Sequence, residues 1–81
     1  MKFITSGVCS KEINFDVVDN KIRNVNFVRG CDGNLLGIAS LVEGMDIDEV
    51  ILRLKGIHCG LKDTSCPDQL AKALELFKVK N

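Results

Sequence analysis

The spacing of apolar residues changes once along this chain, and the change divides it into a sheet-forming part and a helix-forming part. Ile13, Phe15 and Val17 alternate with polar neighbours, as do Val25 and Phe27, so residues 11–18 and 22–29 are expected to be strands. Register discriminates between possible turns. A two-residue loop, Asp19-Asn20, would set Phe15 against Asn24 and mix the faces. A three-residue loop, Asp19 to Lys21, pairs Phe15 with Val25 and Ile13 with Phe27 and is the expected turn. Residues 2–8 are a candidate third strand.

From Gly33 the period is helical. Leu35, Leu36, Ile38, Ala39, Leu41 and Val42 predict a largely buried helix that Gly44 stops. Asp46 with Glu49 has the form of a capping box, and Met45 with Val50 that of a hydrophobic staple. Ile47, Val50, Ile51 and Leu54 line a second helix ended by Gly56. Residues 57–65 read as a loop. A last helix starts at Pro67 and carries Leu70, Ala73, Leu74 and Phe77 on one side. The fold class is α+β: a small antiparallel sheet of two or three strands, with three helices packed on one face. Phe15, Phe27, Leu41, Ile51, Leu74 and Phe77 are the expected core. A chain of 81 residues without linker or repeat reads as a single domain, 1–81.

Four cysteines remain to be explained, each in a polar or glycine-rich junction: Cys9, Cys31, Cys59 and Cys66. Structural cysteines usually sit inside apolar segments. Cysteines at the ends of strands and helices can instead converge. Cys66 precedes Pro67, which disfavours α geometry there, so it is expected as the N-cap of the last helix or within its first turn. The helix dipole and free N–H groups would stabilise a thiolate at that point. Cys31 lies before another helix, Cys59 is seven residues ahead of Cys66, and Cys9 precedes the first long strand. The four are candidate metal ligands around Zn²⁺, iron or an iron–sulfur cluster. No C-x₂-C pair occurs, and four separate buried thiols or a disulfide scaffold are the alternatives.

Other candidates are weaker. His58 beside Cys59 reads as solvated or hydrogen-bonded rather than as a ligand or base. Gly30, Gly33 and Gly37 fit no phosphate-loop pattern and suggest backbone access for Cys31 and close helix packing. Asp68 and the other aspartates read as turn, cap and surface residues. Eleven acidic and eleven basic residues balance, and Trp and Tyr are absent, which argues against a nucleic-acid module. Residues 1–6 lack the apolar stretch of a signal peptide, and no run approaches membrane-spanning length. The expected location is therefore cytoplasmic, with no membrane association.

The segment Thr64-Ser65-Cys66-Pro67-Asp68 resembles the hallmark of the TSCPD domain family. The resemblance extends to Gly7-Val8-Cys9-Ser10, Gly30-Cys31-Asp32-Gly33-Asn34 and Gly56-Ile57-His58-Cys59-Gly60. Such domains occur as short stand-alone proteins and at the C-terminus of ribonucleotide reductase large chains, especially cobalamin-dependent ones. More distantly, Phe27-Val28-Arg29-Gly30-Cys31, the early Cys9 and the late Cys66 look like the NifU/IscU-type iron–sulfur scaffold proteins. That likeness implies the geometry of a thiolate site and not the scaffold activity. The expected function is a metal-binding domain of structural or accessory role. The alternative is a redox or nucleic-acid-contacting module working with a ribonucleotide reductase or another protein partner. A chain this short has no room for a reductase barrel and radical site, so it is not expected to be an independent enzyme.

Overall fold

The computed structural model describes residues 2–5, 12–28, 33–58, 60–61 and 63–80. Its elements are β1 (Lys2–Ile4), β2 (Glu12–Val18), β3 (Lys21–Val28), α1 (Gly33–Val42), α2 (Ile47–Leu54) and α3 (Cys66–Lys80). The strands form one antiparallel sheet in the order β1-β2-β3, which gives the expected α+β class. Of the candidate strand 2–8, Lys2–Ile4 pairs with β2, Phe3 opposite Ile13; residues 6–8 lie outside the described part.

The hairpin corrects the expected turn. Val18 pairs with Lys21, so the loop is the two residues Asp19 and Asn20, with φ of 53° and 64°. Positive φ at both positions is the mirror-image turn whose twist matches paired strands, and Asp and Asn tolerate it better than most residues. Continued unchanged, this register would have set Phe15 against Asn24. An irregularity between Asn14 and Asp16 prevents that, and beyond it Ile13 does pair with Phe27. β3 absorbs the extra residue at Asn24, which has φ 55°. The expected Phe15–Val25 pair therefore gives way to Phe15 facing the bulge. Asn24 is held in its strained conformation from two sides. Its backbone N–H donates to Glu43 Oε1 (2.8 Å), and its Nδ2 donates to Asp16 Oδ2 (3.1 Å).

Helix α1 departs from expectation. Leu35 and Val42 are buried and Ile38 and Ala39 half-buried, but Leu36 and Leu41 are 72% and 78% exposed. A single layer of sheet covers only the 35/38/39/42 stripe of this helix, and positions 36 and 41 fall on either side of it. Leu41 is thus no core residue. Nor does close packing against other elements explain Gly33 and Gly37, since among the described residues no heavy atom beyond the chain neighbours and the helix's own backbone lies within 4 Å of where a Cβ would stand. Of the other expected core members, Phe15, Phe27 and Leu74 are buried, while Ile51 and Phe77 pack against the core half-buried. Ile13, Ile22, Ile47, Val50, Leu70 and Ala73 complete the centre.

Both helix-stop glycines behave as expected, Gly44 with φ 80° and Gly56 with φ 87°. Asp46 caps α2, its Oδ1 accepting from the Asp48 N–H at 2.9 Å, whereas the Glu49 carboxylate bonds to Arg53. Asp46→Ala is expected to lower stability by about 0.5–2 kcal/mol. A urea unfolding midpoint equal to that of the unmodified chain would show the cap to be idle.

The connection between α1 and α2 lies along β3 as a short seam. Gly44 N–H donates to Ile22 O (2.7 Å), Ile22 N–H to Met45 O (2.9 Å) and Ile47 N–H to Asn20 O (2.9 Å). The end of α1 and the start of α2 are thereby fixed beside the hairpin turn. α3 runs antiparallel to α2: Lys78 near its end bonds Asp48, whose carboxylate also accepts from Asn20 Nδ2 at 3.3 Å. Three helix ends thus meet at the turn. The start of β2, the end of β3, the start of α1, the end of α2 and the start of α3 all point away from it. No helix among the described residues is long and apolar enough to cross a membrane.

Candidate metal centre

The start of α3 is built by residues around Cys66 rather than by Cys66 itself. Ser65 is the cap: its Oγ accepts from the Asp68 N–H (3.1 Å), and its carbonyl accepts from the Gln69 N–H (2.9 Å). Cys66 and Pro67 occupy the first turn, where a missing proline N–H leaves no helix bond unmade. The N-cap role expected for Cys66 thus passes to Ser65, because a hydroxyl accepts an N–H bond far better than a thiol does. Cys66 keeps its first-turn position and is only 8% exposed, within the core that contains Phe27 and Leu70.

Asp68, which with the other aspartates reads from sequence as a turn, cap or surface residue, is 2% exposed. Its carboxylate accepts from the Gly56 N–H (2.7 Å) and the Thr64 hydroxyl (2.6 Å) and pairs with Lys72 Nζ (3.1 Å). Gln69 Nε2 donates to Thr64 Oγ1 (3.0 Å), and Ser65 Oγ donates to the Ile57 carbonyl (2.6 Å). Burial, the largest single influence on Asp68, favours the neutral acid. The combined bonds from Thr64, Gly56 and Lys72 outweigh it and hold the carboxyl below its ordinary value. Three side chains thereby fasten the end of α2 to the first turn of α3. The Ser65-x-x-Asp68 spacing of a capping box signals the Ser65 cap alone, since the Asp68 carboxylate turns instead to Gly56 and Thr64.

Cys9, Cys31 and Cys59 lie outside the described residues, so their convergence with Cys66 rests on the sequence. His58 is described and exposed. Among the described residues no group of three or more His, Cys, Asp or Glu side chains gathers as a metal site would. The flanking elements are informative. Glu12 and Val28 are paired, and Cys9 lies three residues before the one and Cys31 three residues after the other. Each is thus within about 11 Å of chain from the same end of the hairpin. Cys31 is also two residues ahead of α1, and Cys59 three residues beyond Gly56, which is bonded to Asp68.

A family model described as the TSCPD domain matches residues 1–78. The chain belongs to the TSCPD domain family. No curated protein and no solved structure matches it. In this TSCPD domain the five signature residues divide their work. Thr64, Ser65 and Asp68 form the polar clamp, Pro67 sits in the first turn, and Cys66 supplies the sulfur at its centre.

Proposed function

We propose that this TSCPD domain binds a metal, zinc or an iron centre, through Cys9, Cys31, Cys59 and Cys66, in a structural or accessory role. The observation that supports the reading most is the common direction of the element ends next to these cysteines, all away from the hairpin turn. The donor set fits. Four soft thiolates suit Zn²⁺ or iron–sulfur clusters and are wrong for Mg²⁺ or Ca²⁺. Cys66 lies in the first turn of α3, held there by the Ser65 cap. A site closed by four thiolates leaves no position for substrate, hence a binding role rather than hydrolysis. Such ligands must stay reduced, which accords with a cytoplasmic location.

Elemental analysis and an absorption spectrum of protein purified without chelator test the proposal. About one equivalent of zinc, or iron with sulfide-to-iron absorption, is expected, with most of it lost in Cys66→Ser. Because serine supplies no thiolate but is tolerated in a helix's first turn, this variant should keep its helical circular dichroism. A metal-free protein with four freely titrating thiols would overturn the reading.

A further inference from the structure

The signature network joins two stretches whose spacing a thiolate centre would need fixed. On one side are Gly56 N–H and Ile57 O, the base of the loop that leads to Cys59. On the other are Asp68 and Ser65, which flank Cys66 in the first turn of α3. The ties are short, 2.7 Å from Gly56 to Asp68 and 2.6 Å from Ser65 to Ile57. Thr64 is their hub, donating to Asp68 and accepting from Gln69. No buried side-chain nitrogen or oxygen among the described residues lacks a partner, so the network is satisfied and stiff rather than frustrated.

We propose that Thr64, Ser65 and Asp68 are positioning residues for the thiolate centre. They hold the base of the Cys59 loop against the helix turn that carries Cys66. The inference rests on the metal reading above and adds to it the groups that set the ligand spacing. Without the clamp, the metal itself would have to hold Gly56 and Ile57 against the first turn of α3, and that cost would be subtracted from affinity. Partners that orient metal ligands typically change affinity about 10–100-fold when removed.

The test compares three variants of the full chain. Thr64→Val removes the hydroxyl at similar volume, Thr64→Ser restores it, and Asp46→Ala weakens the fold at the opposite end. Co²⁺ affinity is measured by chelator competition, and the cobalt absorption bands report ligand geometry. Thr64→Val should bind Co²⁺ about tenfold or more weakly with shifted bands, while Thr64→Ser and Asp46→Ala stay close to the unmodified chain. Should Thr64→Val not fold, Asp68→Asn, which keeps the side-chain shape, is judged by the same criteria. Affinity and bands equal to those of Asp46→Ala would overturn the proposal.

A second measurement separates this proposal from the metal reading. In the metal-free chain with Cys9→Ser and Cys31→Ser, diamide should couple Cys59 to Cys66, and about tenfold more slowly once Thr64→Val is added. If the unmodified chain binds no cobalt yet this slowing is found, the metal reading fails and the positioning role stands. Equal coupling rates with and without Thr64→Val, or no coupling at all, overturn the positioning role.

Discussion

Phe15→Ala is expected to lower the free energy of unfolding by about 3–5 kcal/mol. Phe15 is 2% exposed and is among the largest fully buried side chains, in one core with Ile13, Ile22, Val50 and Leu74. It also faces the β-bulge, where the backbone is already committed to an unusual conformation and has little freedom to collapse into a cavity. A domain of 81 residues has a total stability of about 4–12 kcal/mol, so the loss would be a large share of it. Leu41→Ala supplies the contrast. Both residues read as core from sequence, yet Leu41 is exposed and its truncation should change stability by no more than about 0.5 kcal/mol. With neither Trp nor Tyr in the chain, urea unfolding is best followed by circular dichroism. Equal effects of the two substitutions would show that the packing of α1 on the sheet is misassigned.

Asp68→Ala is expected to cost about 2–4 kcal/mol. It leaves the Gly56 N–H and the Thr64 hydroxyl without their acceptor in a region where little water can replace it. The same residue confers acid sensitivity. Its folded pKa lies below the unfolded value, so the folded state binds fewer protons. Its contribution is whole above the unfolded carboxyl pKa of about 3.9, declines as the pH drops, and vanishes below the folded pKa. Metal-free Asp68→Asn should therefore lose less stability than the unmodified chain as the pH falls below about 5, the slopes differing by at most about 1.4 kcal/mol per pH unit for the one proton taken up on unfolding. Parallel acid limbs for the two proteins would mean that the Asp68 bonds do not favour its charged form.

Much of the fold was legible because local signals agreed with one another. Alternation marked β2 and β3, Asp46 marked a helix start, and Gly44 and Gly56 marked helix ends. What escaped were features set by tertiary context. The Ile13–Phe27 pairing was reached through the wrong turn, because a bulge at Asn24 and a longer loop have the same effect on register. The exposure of Leu36 and Leu41 depends on how many layers cover α1, which hydrophobic spacing does not encode. In the signature segment the cysteine was conspicuous and its polar neighbours were not. Asp68 reads as a surface charge until the Gly56 backbone is brought against it from 12 positions away.

The seam along β3 has a kinetic consequence. The bonds from Gly44 to Ile22 and from Ile47 to Asn20 join the hairpin to the α1–α2 connection, far apart in the chain. Neither piece can present those groups to the other until the intervening helix has formed and folded back. Closing that loop is entropically unfavourable until the whole seam has zipped. Hairpin and helix pair should therefore behave as one cooperative unit rather than as independently fraying modules. The amides of Ile22, Gly44 and Ile47 would then exchange with solvent deuterium only as the domain opens globally, at a rate set by its overall stability.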